Sequence, residues 1–161
     1  MDLLQICQWI EDSQFGTAVR EVYFPYIEGT HVLALAFSVG MIIWFDLRLA
    51  GVIFRSRPVS EVFKQLRPYF MVGFPIMFIT GILLFTGHAT QCYASNYFRV
   101  KMVLIFLAGV NVLVFHSTVD RRREQWDKNP FPPFAARVAG AVSLFFWVSI
   151  ICAGRLFAYY L

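Results

Sequence analysis

Two of the three histidines in this sequence, His31 and His88, fall near the same end of successive apolar runs. Glu28, Arg99, Lys101 and Arg155 reach that level when the chain is folded back and forth on itself. Neutral imidazole is a natural ligand for haem iron, and Arg and Lys bind carboxylates through charge-assisted hydrogen bonds. These residue types suggest a haem b held between His31 and His88, with Arg155 and Lys101 near its propionates and Glu28 beside them. His31 lies ~9 Å inside the start of its run, and His88 closes the next one. Met77 and Gly81 fall on roughly the face below His88, where a small residue leaves room for a flat ring close to the backbone. His116 does not join this set, because at 1.5 Å per residue it lies ~22 Å from Lys101, too deep for one porphyrin to bridge.

Each group also has a plainer reading. His88 at a helix end suits an interfacial residue or a partner for the helix dipole. His31 suits a structural hydrogen bond with Glu28 or Ser38, and His116 a structural place near Asp46 or Asn111. Glu28 and Arg155 suit an ion pair that locks a bundle, although such pairs are expensive inside a membrane.

The elements that must position these groups follow from composition. Of 161 residues 58% are hydrophobic and 15% charged, too apolar for an ordinary soluble domain. A span needs about 20 apolar residues to cross a ~30 Å hydrocarbon core. Four stretches qualify, at about 25–51, 68–88, 98–118 and 134–159, separated by polar, turn-rich segments with Pro where a helix should begin. The expected fold is an all-α integral membrane four-helix bundle over 25–161. It is preceded over 1–24 by an interfacial segment whose Leu3, Leu4, Ile6, Cys7, Trp9 and Ile10 form a short amphipathic helix rather than a signal peptide.

On the first span, with His31 at zero, Ser38 falls near −20° and both Glu28 and Asp46 near 60°, so the awkward groups share one face. Trp44 and Gly40 fall on the far side, toward lipid. Asp46 is expected to face the bundle and meet the third span near His116. Arg48, near −100°, should not pair with it.

Ten of the fourteen basic residues lie in the segments after the first and third spans, among them Arg55, Arg57, Arg121, Arg122 and Arg123. The positive-inside rule then places both termini in the periplasm and these loops in the cytoplasm of an inner membrane. The net charge of +4 reads as a topology signal and not as a nucleic-acid surface. Cys7, Cys92 and Cys152 have no metal-ligand spacing, although Cys7 and Cys92 fall on the same outer side, where a disulfide can form. No phosphate loop, nucleophile elbow or HExxH motif is present. Trp9, Tyr23, Tyr26, Tyr93, Tyr97, Tyr159 and Tyr160 form an outer aromatic belt.

The stretches "YIEGTHVLALAFSVGMIIWFDLRLAG", "TGILLF", "NYFRVKMVLIFLAGVNVLVFH" and "AGRLFAYY" resemble, over nearly the whole chain, a bacterial family of small four-span membrane proteins of unknown function. More distantly, a His early in the first span and a Lys-to-His third span resemble the copper-resistance D-type proteins and the membrane protoporphyrinogen oxidase. The resemblance places its implied functional residues at Glu28, His31, Asp46, Arg48, Lys101, Asn111, His116 and Arg155, while His88 lies outside these motifs. The expected function is that of a b-type cytochrome-like protein exchanging electrons with quinone or a periplasmic redox partner. The alternatives are a non-catalytic anchor subunit of a larger membrane complex and a tetrapyrrole or copper handling protein.

Overall fold

A computed structural model of the chain describes residues 2–160, which form helices and connecting turns with no strand among them. The N-terminal segment is a pair of short helices, α1 (Leu3–Glu11) and α2 (Gln14–Ala18). Each begins on a capping residue. At α1, Asp2 and Gln5 cap each other, and at α2 the Ser13 hydroxyl accepts from the Gly16 N–H at 3.0 Å. A π-helical turn over Val19–Tyr23 carries the chain into α3 (Phe24–Leu49), so that Gln14–Leu49 is one continuous helical run of 36 residues.

The remaining elements are α4 (Val59–Gly87), α5 (Ala89–Ala94), α6 (Asn96–Thr118), α7 (Arg123–Trp126) and α8 (Phe134–Tyr159). Four helical runs are long and apolar enough to span a membrane. The fourth occupies the expected residues, whereas the second begins nine residues before Pro68 and contains both Pro68 and Pro75. Pro58 sits at its N-cap instead, a position where proline costs nothing to the helix. A proline inside a membrane helix removes one backbone hydrogen bond, which neighbouring helices and local adjustment accommodate.

Helix α3 is central: it packs against α4 on one side and α8 on the other, and α8 packs in turn against α6. Glycine lets the backbones approach at both α3 seams. A Cβ on Gly73 would stand 3.0 Å from the Ser38 nitrogen, and one on Gly140 would stand 2.8 Å from the Asp46 carbonyl oxygen. Val39, Ala108, Trp147 and Ile150 form one buried cluster, and Leu49, Val59, Phe115, Trp126 and Ala136 another nearer the loops. Helices α4 and α6 share no extensive interface, and meet near one end through the rings of Phe85 and Phe98. Their outward faces carry large apolar side chains such as Phe78, Phe106 and Leu113, as a lipid-facing surface requires.

The N-terminal segment is docked and specifically packed. Gly16 lies against the Ile10 and Thr86 carbonyls, and Val19 covers Gly87. Glu11 accepts the Thr90 N–H at 2.8 Å and the Thr90 hydroxyl, and takes Arg20 at 3.2 Å. Cys7 is the buried residue of α1 and faces α5, while Leu3 and Trp9 point outward.

Candidate functional site

His31 sits two turns into α3, half-buried, against α4. Its Nδ1 lies 2.9 Å from the Thr80 hydroxyl, and its Cε1 lies 3.3 Å from where a Gly81 Cβ would be. Any side chain at Gly81 would therefore press on the imidazole. Thr80 itself is buried and turned back onto its own helix, with its oxygen 2.7 Å from the Ile76 carbonyl and 3.1 Å from that of Met77. From the other side of the bundle comes Lys101 of α6. Its ammonium lies 3.5 Å from the position of a Gly154 Cβ on α8, close enough to His31 and to Cys92 to act on both electrostatically. Two glycines, Gly81 and Gly154, thus keep space beside the two ionisable side chains of this level.

The other expected site residues stand apart from that pair. His88 caps α4 and is buried edge-on against Phe24, with ring centroids 5.0 Å apart. It lies seven residues beyond Gly81, or ~10 Å along the helix axis, so the packing does not bring the two imidazoles to one point. Glu28 is half-buried one turn from His31, and Arg155 is exposed on α8. Among the described residues the ion pairs are Arg20 with Glu11 and Glu21, His116 with Asp120, and Arg123 with Asp120. Glu28 and Arg155 are not joined to each other. Nor does His31 bond to Glu28 or Ser38: its partner is Thr80, and Ser38 donates instead to the Ala34 carbonyl of its own helix.

At the opposite level Asp46 is buried and faces the bundle, but it meets Ser143 of α8 rather than the third span. One of its carboxyl oxygens has no hydrogen-bond partner. His116 turns outward to Asp120 at 2.9 Å, and Asn111 donates to the Ala139 carbonyl at 3.0 Å. Both differ from expectation for one reason: α3 has α8 between itself and α6 along much of its length, which the angles on a single helix do not reveal. Arg48 and Asp46 do not pair, as expected. Arg48 is fully buried and its guanidinium donates to the Arg57 carbonyl twice, at 3.0 and 2.9 Å, and to the Asn129 carbonyl at 3.0 Å.

Two further residues that hydropathy and spacing do not single out belong to the His31 end of the bundle. Thr80 is one, hidden because a threonine in an apolar run is unremarkable unless its neighbour Gly81 is read as a gap facing His31. Glu11 is another, since its partner Thr90 is remote in sequence. Burial pulls the Glu11 carboxyl upward, but the two Thr90 hydrogen bonds and the Arg20 charge outweigh it and hold the group below the ordinary carboxylate range. Burial pushes the neighbouring Cys92 thiol up to about 12 despite the Lys101 ammonium nearby. No group of three or more His, Cys, Asp or Glu side chains poised for a metal ion occurs among the described residues.

An all-helical chain with four spans and ionisable side chains meeting between them is a multi-pass membrane protein. Residues 6–160 match the family described as "Family of unknown function (DUF6644)", and the chain belongs to that family. No curated protein and no solved structure matches it.

Proposed function

We propose that this protein is a membrane haem b protein that exchanges single electrons with quinone or a periplasmic redox protein, and that His31 is its principal iron ligand. One observation carries the reading. A histidine well inside a span is held at Nδ1 by Thr80, packs into the space that Gly81 leaves, and shares its level with the Lys101 ammonium. An intramembrane ionisable residue marks a functional site by default, because leaving it in hydrocarbon is costly. Bound haem would supply one-electron chemistry. His31 offers a neutral imidazole to the iron and Lys101 offers a cation to a propionate, while Gly81 and Gly154 give those two side chains their places against α4 and α8. Arg155 and Glu28, near the same end, are the groups that an approaching partner or the second propionate would meet.

The test is the absorption spectrum of detergent-purified protein from haem-replete cells, oxidised and reduced. Sharp reduced α and β bands that disappear in His31→Ala support the reading. His88→Ala separates one-histidine from two-histidine ligation: bands unchanged in this variant assign the iron to His31 alone, with an open face suited to tetrapyrrole chemistry. A colourless, folded protein overturns the proposal. The bare apolar flanks of α4 and α6 would then favour a non-catalytic anchor subunit seated on a larger complex. The distant resemblance to copper-resistance D-type proteins and the membrane protoporphyrinogen oxidase rests on His31 and on a third span running from Lys101 to His116, and copper titration of the colourless protein tests that branch.

The proposed placement is an inner membrane with both termini periplasmic, which the distribution of Lys and Arg supports. The outward Leu3 and Trp9 of α1 then lie in the outer interface. A reporter fused after residue 161 that is active only in the cytoplasm would reverse this orientation.

A further inference from the structure

We infer that Thr80 is a positioning residue that holds His31 in one tautomer, with the proton on Nδ1 and the Nε2 lone pair left free. The inference deepens the haem proposal and, where it concerns iron, rests on it. A threonine hydroxyl has one hydrogen to donate, and here the Thr80 oxygen lies 2.7 Å from the Ile76 carbonyl, with the Met77 carbonyl as the weaker alternative at 3.1 Å. Both are acceptors, and the Ile76 carbonyl is nearer to the hydroxyl than the imidazole nitrogen is, which directs the hydroxyl hydrogen to its own helix. The contact between His31 Nδ1 and the same oxygen, at 2.9 Å, then needs its hydrogen from the imidazole. Neutral imidazole carries one N–H, and placing it on Nδ1 leaves Nε2 unprotonated.

The ring is fixed as well as its tautomer. Its Cε1 edge abuts Gly81, and Thr80 and Gly81 are adjacent in sequence, so one turn of α4 both grips the imidazole and makes space for it. Hydrogen bonds of this kind to the far nitrogen orient metal-binding histidines and raise their basicity, and losing them weakens metal binding about 10–100-fold.

Thr80→Val keeps the shape of the side chain and deletes the acceptor, while α4 keeps its backbone hydrogen bonds. Thr80→Ser keeps the hydroxyl. The direct measurement is the nitrogen-15 spectrum of histidine-labelled, haem-free protein in lipid nanodiscs, with signals assigned by removing each histidine in turn. The expected result is a neutral His31 protonated at Nδ1 in the wild type and in Thr80→Ser, and protonated at Nε2 or divided between the two in Thr80→Val. A wild-type His31 protonated at Nε2 or at both nitrogens overturns the inference, as does a Thr80→Val spectrum identical to wild type. Haem retention is the second readout, expected to weaken about tenfold or more in Thr80→Val and to recover in Thr80→Ser. A tautomer that moves in a protein that never binds haem upholds Thr80 and sinks the haem reading. Unchanged tautomer with normal haem binding does the reverse.

Discussion

The His31 level and the Asp46 level of this bundle are both polar, yet they are satisfied in different ways. At the His31 level the ionisable groups come from α3 and α6 and face glycine gaps, and one nitrogen of the imidazole is engaged while the other is left over. At the Asp46 level and below it, most groups are tied down, one Asp46 carboxyl oxygen excepted: Arg48 clamps two loop carbonyls, Asn111 reaches across to α8, and His116 pairs one turn along with Asp120. Polar groups spent on backbone hold a fold, and polar groups held in place with capacity to spare are available for ligands. By that measure Arg48, Asn111 and His116 serve mainly the fold, while the His31 imidazole and the unpartnered Asp46 carboxyl oxygen are the groups with capacity left.

The largest test of this contrast is Arg48→Ala. Arg48 is the largest fully buried side chain and its guanidinium makes three hydrogen bonds that join the loop after α3 to the segment before α8. Truncation leaves a cavity and strips charged hydrogen bonds, for an expected loss of about 3–5 kcal/mol. Haem-free His31→Ala should lose about 1 kcal/mol, the scale of one ordinary hydrogen bond. Thermal unfolding in one detergent compares them, and a His31→Ala variant as unstable as Arg48→Ala would erase the distinction.

Next in size is Gly140→Ala. The added methyl would meet the Asp46 carbonyl oxygen at 2.8 Å and the Leu49 side chain at 2.9 Å, neither of which can yield without moving α3 against α8. Overpacking of this kind costs about 1–3 kcal/mol. Because the clash lies at the Asp46 level, it should lower the unfolding temperature while leaving any haem spectrum in place.

These expectations also mark what was legible in the sequence. Span number, the interior placement of Asp46 and the separation of Asp46 from Arg48 follow from hydropathy and helical angle alone. The span at 134–159 is bounded by Pro133 and the terminal tyrosines, and the structure keeps it residue for residue. Pro68 misled because proline marks a helix start in water and is tolerated inside a membrane helix. The partners of Asp46 and His116 were not legible, since they depend on which helices neighbour one another around the bundle. Thr80 lay beyond reach for the same reason: its role exists only once α3 and α4 are in register.

Third is the N-terminal cap, which touches the His31 end without belonging to it. Glu11→Gln should weaken docking of α1 and α2 by about 1–2 kcal/mol, the scale of hydrogen bonds to a charged group. The pH dependence has a definite sign. A carboxyl held below its ordinary value stabilises the folded state fully above that ordinary value, ~4.3 for Glu, and loses this contribution as pH falls through the lower folded value. Protection of the α1 and α2 amides against hydrogen exchange, taken relative to the unfolded rate at each pH, should therefore fall below about pH 4 in the wild type. In Glu11→Gln that protection should be lower at neutral pH and should not fall further in acid. The buried Cys92 thiol, pushed up to about 12, should resist maleimide in the wild type and react faster once the cap is loosened.

The smallest expected effect is that of His116→Ala, and it is the sharpest control on the contrast. His116 resembles His31 on paper, since both are histidines within long apolar helices. Its side chain is nevertheless 49% exposed, and its partner Asp120 also holds Arg123, so the carboxylate keeps a cation when the imidazole is removed. Exposed pairs of this kind contribute about 0–1 kcal/mol, and a retained partner argues for the lower part of that range. Unfolding temperature, haem spectrum and the His31 tautomer should all stay as in the wild type. A lost haem band in this variant would move the ligand to the other end of the bundle, because ~22 Å of helix separates His116 from the Lys101 level and no shared site reaches across it.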